Sequence, residues 1–194
     1  YERLEFLGDA VLNFAVARLV FAAYPDADEG DLSRYRSALV SGRSLAAAAA
    51  ALGLGDQLRL GSGELKTGGF RRGSILADSL EAVFGAVYLD GGPDAALAVI
   101  ERVLAQPVAA LPEARELKDP KTRLQELLQG RGERLPAYAV EDVSGEPHEH
   151  WFVASCEVPD HGLRETGEGS SRRRAEQAAA QRALEVLAER GNDR

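Results

Sequence analysis

Acidic side chains near the start of the chain are the first candidates for chemistry. Glu2, Glu5 and Asp9 are spaced three and four residues apart, a spacing that places them on one face of an α-helix. Apolar side chains on the neighbouring face predict a core contact: Leu4, Leu7, Val11 and Leu12. Like charges at this spacing destabilise a helix by roughly 0.2–0.5 kcal/mol per pair, so their presence needs an explanation. A solvated acidic face is one explanation, and half of an oxygen-ligand site for a hard metal ion is the other.

A second acidic pair lies within the strongly apolar helical segment 74–88. Asp78 and Glu81 are three residues apart, so they share a helix face that its apolar neighbours predict to be partly buried. Buried carboxylates repel each other and lose hydration unless a cation or raised pKa values relieve them. Two such helices can surround a divalent cation, with Glu5 and Asp9 facing Asp78 and Glu81.

Both acidic stretches resemble motifs of ribonuclease III, the double-strand-specific endoribonuclease. Residues 2–9, Glu-Arg-Leu-Glu-Phe-Leu-Gly-Asp, resemble its signature, and the Asp-x-x-Glu after Ser-Ile-Leu-Ala resembles its second acidic motif. The resemblance is to the bacterial form and extends from residue 1 to about residue 190. The family normally has a few dozen residues before the signature, and we expect these to add helices to the endonuclease core.

The resemblance implies a site and a reaction. It implies four metal-binding carboxylates: Glu5, Asp9, Asp78 and Glu81. Of these, Asp9 and Glu81 are expected to be catalytic, and Glu81 the most critical, while Glu2 and Glu29 are expected to be supporting acidic residues. The expected cofactor is Mg²⁺, which Mn²⁺ can replace, and the expected reaction is phosphodiester hydrolysis that leaves 5′-phosphate and 3′-hydroxyl ends. Two divalent cations about 3.5–4 Å apart suit this chemistry.

The resemblance also implies a homodimer in which each site cuts one strand and leaves short 3′ overhangs. Phe6, an apolar residue inside the acidic signature, matches the family residue that inserts into the partner subunit. Ordinary packing of Phe6 in the core is the alternative.

Composition limits the class of protein. The chain has 194 residues, of which 45% are hydrophobic and 28% charged, with a net charge of −8. That charge alone argues against nucleic-acid binding, although a local basic patch is sufficient for RNA contact. The single Cys156 excludes an intramolecular disulfide and fits a cytoplasmic location. No apolar run approaches the ~18 residues of a membrane span, so no membrane association is expected.

The first part of the chain predicts an all-α domain, residues 1–112. Helices are expected over 1–23, after an N-cap at Asp31, over 44–52 and 74–90, and over 95–110 after an N-cap at Asp94. The glycine-rich run 61–73 predicts a flexible or RNA-contacting loop, since it lacks the Gly-Lys-Ser/Thr ending of a nucleotide-binding loop. This domain contains no histidine or cysteine, which excludes a Ser-His-Asp site and most zinc sites there.

A linker at 113–118 is expected to lead into a second domain, residues 119–190, with a different pattern. A helix at 121–129, strands near 137–143, 151–158 and 163–169, and a helix at 171–189 give the order α-β-β-β-α. That order, with Gly-Glu-Gly-Ser-Ser-Arg-Arg-Arg-Ala-Glu-Gln at 167–177, resembles the double-stranded-RNA-binding domain. The predicted fold class is therefore an all-α endonuclease domain followed by a small α+β domain.

Duplex RNA is recognised mostly by shape, 2′-hydroxyl groups and phosphates. Arg172, Arg173 and Arg174 open the last helix, where cations oppose the helix dipole, so they indicate an external anion unless they are simply solvated. The expected RNA contacts are Thr122, Gln125, Glu126, His148, Ser171, Arg172, Arg173 and Arg174.

The function predicted from these features is a magnesium-dependent, double-stranded-RNA-specific endoribonuclease that processes ribosomal RNA precursors, messenger RNA and other structured RNAs. A non-cleaving double-stranded-RNA binder with a degenerate nuclease fold is the alternative. A third possibility, a metal-storage helical bundle, leaves the C-terminal domain unexplained.

Overall fold

The structure, a computed structural model, describes residues 1–66, 68–146 and 150–192. The chain divides into two compact units, Tyr1–Leu117 and the part from Lys118 onward. Among the described residues the first unit contains only helices and turns, and the second contains a three-stranded sheet flanked by helices.

The acidic signature lies on α1, Glu2–Ala23, which ends before Tyr24 and Pro25 as predicted. Its buried side is formed by Gly8, Leu12, Ala15, Val16 and Val20. Of the four residues expected in the core, only Leu12 is fully buried, while the other three are half-buried. These three residues line open grooves on the surface, so the buried face of α1 is rotated relative to the predicted one.

Two shorter helices follow. Helix α2 spans Glu29–Leu39, and its N-cap is Asp28, whose carboxylate accepts a hydrogen bond from the backbone N–H of Asp31 at 2.7 Å. The predicted N-cap at Asp31 is therefore wrong by three residues, because the extended backbone at Asp28 allows the earlier carboxylate to reach the helix end. Helix α3 spans Gly42–Ala51 and begins at Ser41, its N-cap.

The glycine-rich run is more ordered than predicted. It contains a short helix α4, Ser62–Lys66, and a 3₁₀ turn, Gly69–Arg71. A further 3₁₀ turn, Leu54–Gln57, precedes it. The prediction of one continuous loop over 61–73 is therefore wrong, because glycines at the turns allow short helical segments between them.

The second acidic pair lies on α5, Gly73–Ala109, which is interrupted at Gly92 by a non-helical backbone with φ of 79°. The predicted helix stop at this point is confirmed as a break. The helix resumes at Pro93, a residue suited to the first helical position, so Asp94 lies in the first turn and is not the N-cap.

The predicted linker is partly folded. Residues Ala114–Leu117 form α6, and Ala114 is buried with its N–H donating to the hydroxyl of Tyr35 at 3.1 Å. This segment therefore packs on the helical unit, which continues to Leu117.

Helices α1 and α5 form the centre of the first core. Leu12 and Val16 of α1, and Leu80 and Phe84 of α5, are at most 1% exposed. By length and composition alone, both helices could also cross a membrane. One or two such helices are weak support for a membrane span, since core helices meet the same criterion, and here they pack as core helices.

The second unit has the predicted α-β-β-β-α order. Helix α7, Pro120–Gly130, is capped by Asp119, and strands β1, Ala137–Ser144, β2, Trp151–Val158, and β3, Leu163–Gly169, pair antiparallel in that order. Helix α8 spans Arg172–Asn192. The core between the helices and the sheet contains Leu124, Leu128, Cys156, Val158, Leu163, Ala179, Ala180, Ala183 and Leu187.

Candidate metal centre and nucleic-acid interface

The first unit is built around a very close crossing of α1 and α5. A Cβ atom added at Gly8 would lie 1.7 Å from the carbonyl oxygen of Glu81, and one added at Gly85 would lie 2.3 Å from the carbonyl oxygen of Leu4. Real Cβ atoms do not approach other atoms within 3.0 Å, so the two backbones are in contact and only glycine fits at either position. The crossing places the turn of α1 that bears Glu5 beside the turn of α5 that bears Glu81. The sequence analysis did not assign this role to either glycine, although each lies within one turn of a candidate carboxylate.

Three carboxylates meet at this crossing. Glu5, Asp78 and Glu81 each offer an oxygen atom, and these atoms all lie within 4.8 Å of one another. All three residues are half-buried. A donor set made only of carboxylate oxygens suits a hard divalent cation such as Mg²⁺.

Asp9, the fourth predicted ligand, lies at the edge of this group. Its side chain is exposed, and its Oδ1 accepts a hydrogen bond from Asn13 Nδ2 at 2.8 Å. No oxygen of Asp9 belongs to the group of three carboxylate oxygens that lie within 4.8 Å of one another. Even so, among the neighbouring charges, that of Asp9 raises the pKa of Glu81 most. The structure therefore brings three of the four predicted ligands together and places the fourth next to Glu81.

Electrostatic strain is concentrated on Glu81. Burial, and after it the charges of Asp9, Asp78 and Glu5, raise the pKa of Glu81 from 4.5 to about 7. Like charges held together in this way are stabilised by a bound cation, which removes the repulsion among them. The residues present therefore fit a divalent metal ion.

Tyr1 and Ser79 are two residues of the site that the sequence analysis missed. The hydroxyl of Tyr1 is hydrogen-bonded to the buried side chain of Ser79 and interacts with the charges of Asp78, Glu5 and Glu81. Burial, followed by these carboxylates, raises the pKa of Tyr1 above its ordinary value of 10.0. Ser79 lies between Asp78 and Glu81 in sequence, and that position is the sequence feature that could have indicated its place in the site.

The two supporting acidic residues lie apart from the three-carboxylate group. Glu2 is exposed, lines a groove with Phe6 and Leu89, and is not part of the three-carboxylate group. Glu29 opens α2, and its carboxylate accepts a hydrogen bond from Ser33 Oγ at 2.8 Å.

Phe6 is not a core residue. Its side chain is 81% exposed, and its groove is lined by Glu2, Arg3, Leu4, Phe6, Leu7 and Leu89. Leu89 is itself 65% exposed. The alternative of ordinary core packing is therefore wrong, and α1 presents an apolar surface on the turns that also bear Glu5.

The predicted RNA contacts that the structure describes lie on α7 and at the start of α8. Thr122, Gln125 and Glu126 are exposed on α7, where Glu126 forms an ion pair with Lys118. Ser171 accepts a hydrogen bond from the backbone N–H of Arg174 at 3.2 Å and so caps α8. His148 lies outside the described residues.

The arginines at the start of α8 are exposed, and carboxylates compensate the charge of two of them. Arg172 Nε donates to Glu176 at 2.8 Å, and an Arg173 guanidinium nitrogen donates to Asp119 at 3.4 Å. Neighbouring carboxylates therefore offset part of the charge of Arg172 and Arg173, and the expected external anion stays a prediction.

Comparison with known proteins assigns both units. Residues 1–108 match the family model described as Ribonuclease-III-like, and residues 120–187 match the double-stranded RNA binding motif. The chain is 53% identical over 193 residues to Ribonuclease 3 of Pseudomonas fluorescens, covering 99% of this chain and 84% of that protein. The chain belongs to the ribonuclease III family. It is therefore an endoribonuclease directed at double-stranded RNA, and the non-cleaving and metal-storage alternatives are set aside.

Further relatives support the same family assignment. Ribonuclease 3 of Alkalilimnicola ehrlichii is 52% identical over 186 residues, covering 96% of this chain and 82% of that protein. Among solved structures, a nuclease domain of ribonuclease III from Campylobacter jejuni is 43% identical with a TM-score of 0.53, and the match covers 54% of this chain and 73% of that one. In that nuclease domain, structural flexibility is described in a region involved in dimer formation. The three-carboxylate group lies in the segment that matches the nuclease family.

Proposed function

We propose that this protein hydrolyses duplex RNA with Mg²⁺ held by Glu5, Asp78 and Glu81, with Asp9 beside them, and that Mn²⁺ can replace Mg²⁺. The observation that carries the proposal is the group of three carboxylates within 4.8 Å at the α1–α5 crossing. When bound, the cation supplies charge neutralisation at the phosphate and a more acidic water.

The remaining chemistry belongs to the chain's own residues. In the proposed reaction the water oxygen forms a bond with phosphorus, the bond from phosphorus to the 3′ oxygen breaks, and a water proton ends on that oxygen. Glu81 and Asp9 are the proposed catalytic residues. The pKa of Glu81 is raised to about 7 without metal, and the carboxylate would be ionised when it holds the cation, while the exposed Asp9 is open to the RNA. The products are a 5′-phosphate and a 3′-hydroxyl end.

We further propose that the protein works as a homodimer. Phe6 and the groove it shares with Leu89 offer an exposed apolar contact for a second copy, next to the metal-binding carboxylates. Two sites related by a two-fold axis would each cut one strand and leave short 3′ overhangs. Glu2, in the same groove, and Glu29 are proposed as supporting residues that shape the interface or a second metal position.

The second unit is proposed to hold the duplex. Its proposed contacts are Thr122, Gln125, Glu126, His148, Ser171, Arg172, Arg173 and Arg174. The proposed domain limits are 1–112 for the nuclease, to which α6 adds residues up to Leu117, and 119–190 for the RNA-binding domain. Ribosomal RNA precursors, messenger RNA and other structured RNAs in the cytoplasm are the proposed substrates.

The test is cleavage of a long RNA duplex with and without Mg²⁺. The parent protein should cut only with the metal, whereas Glu81→Gln and Asp78→Asn should still bind the duplex but not cut it. Glu101→Gln removes one exposed charge from the same helix and should cut like the parent. Undiminished cutting by Glu81→Gln would exclude the proposed metal centre.

A further inference from the structure

The second unit contains a buried carboxylate to which the RNA-binding role assigns no task. Glu176, on α8, is 6% exposed. Its Oε2 accepts a hydrogen bond from Lys121 Nζ at 2.6 Å, and its Oε1 accepts one from Arg172 Nε at 2.8 Å. One carboxylate therefore holds a cation from α7 and a cation from α8.

Stability alone does not account for this arrangement. Removing a carboxylate from water carries a desolvation penalty, and replacing a buried ion pair by apolar residues is often neutral or stabilising. Burial opposes ionisation of Glu176, but the hydrogen bonds from Lys121 and Arg172 hold its pKa below the ordinary value, so it carries its charge. A charged group kept at such a position fixes the geometry of its partners.

The two cations remain available to a ligand. The side chain of Lys121 is 33% exposed and that of Arg172 is 66% exposed, whereas that of Glu176 is 8% exposed. Lys121 Nζ also lies 4.2 Å from the centre of the Tyr138 ring, which restricts it further. An ammonium group has three N–H donors, so the contact with Glu176 leaves others for an anion.

A second carboxylate ties the same two helix ends together. Asp119 caps α7 by accepting from the backbone N–H of Lys121 at 2.9 Å, and it accepts from Gln177 Nε2 of α8 at 2.7 Å. The starts of α7 and α8 are thus fixed to each other at the point where Lys121 and Arg172 reach solvent.

We propose that Lys121 is a further phosphate-binding residue for duplex RNA, and that Glu176 is a positioning residue that holds Lys121 and Arg172 on one surface. The inference rests on the proposed RNA interface at the start of α8. Neutralising Glu176 would have two effects of opposite sign on RNA binding. Removal of its negative charge by itself strengthens binding, whereas loss of its positioning role weakens binding.

The experiment measures duplex binding by the full chain at several salt concentrations, with metal chelated so that no cutting occurs. Glu176→Gln should lower the slope of log affinity against log salt by about one to two units and weaken binding roughly fivefold per lost contact at 0.15 M salt, taking the duplex DNA coefficient for RNA. Lys121→Met should lower the slope by about one. The matched control is Glu185→Gln, which removes the same charge from the exposed side of α8 and should bind as well as the parent or better.

A melting curve of each variant shows that it is folded at the binding temperature. A purely structural role for Glu176 would reduce the folded fraction and leave the salt slope of the folded protein unchanged, which would overturn the inference. If Glu176→Gln does not fold, Lys121→Met decides, since an unchanged slope would remove Lys121 from the interface. Arg172→Ala tests the interface separately: if it lowers the slope while the other two variants do not, the interface stands and only this inference fails.

Discussion

Glu81→Gln should make the metal-free protein more stable while removing its activity. Burial and the charges of Asp9, Asp78 and Glu5 raise the pKa of Glu81 from 4.5 to about 7, so in the folded state its ionised form is unfavourable. Between these pH values the folded chain holds a proton that the unfolded chain has released. The free energy of unfolding therefore falls as the pH rises from about 4.5 to about 7, and stays lower above pH 7. Glutamine has nearly the same shape as glutamate but no charge, so the variant avoids this loss of stability.

The size of the expected stability change follows from the pKa shift of Glu81. A change from 4.5 to about 7 corresponds to at most roughly 3 kcal/mol, at about 1.36 kcal/mol per pKa unit. Glu81 is only half-buried, and solvent screens part of the repulsion, so we expect about 1–2 kcal/mol. For a helical unit of this size that is a rise in Tm of roughly 3–10 °C.

The assay is thermal unfolding of the metal-free protein at pH 5 and pH 8. Glu81→Gln should melt above the parent at pH 8 and close to it at pH 5, and added Mg²⁺ should raise the Tm of the parent more than that of the variant. Glu101→Gln, the matched loss of an exposed charge on the same helix, should show no such difference between the two pH values. A variant that melts below the parent at pH 8 would refute the argument that Glu81 is electrostatically strained.

Three further predictions concern packing, RNA binding and assembly. Gly8→Ala should lower the free energy of unfolding by at least about 1–3 kcal/mol and abolish cutting, because its Cβ would overlap the α5 backbone. Gly42→Ala, which has open space around it, should be tolerated. Equal Tm values for the two variants would contradict the close crossing. Arg172→Ala with Arg173→Ala should weaken duplex binding at every sequence and lower its salt slope by roughly one unit per lost contact, and an unchanged slope would leave these arginines without a role in binding. Phe6→Asp should sediment as a monomer with reduced cutting of both strands in one encounter, and a fully active dimeric variant would remove Phe6 from the interface.

Local rules were sufficient for most of the element order. The break at Gly92, the cap at Asp119 and the three strands all follow from short-range preferences of the backbone and side chains, which depend on neighbours a few residues away. Local rules were less reliable at the start of α2 because two acidic residues, Asp28 and Asp31, could each cap the helix, and the choice depends on backbone conformation.

The carboxylates proposed to bind metal were also visible in the sequence as candidates, but their geometry was not. Helical periodicity gives the angle of a side chain around its own helix and says nothing about which helix lies opposite or how closely it approaches. The contact of Gly8 with Glu81 decided that Glu5, Asp78 and Glu81 converge, while Asp9 lies at their edge.

The same limit applies to the second unit. Glu176 and Lys121 are 55 residues apart in sequence, and no pattern within either helix indicates that they meet. Their pairing exists only because α7 packs against α8 and one carboxylate is buried between two cations. The sequence by itself determined the elements, the family resemblance and the candidate residues, whereas the packing of the helices decided which of those residues touch, because distances between remote residues depend on the whole fold.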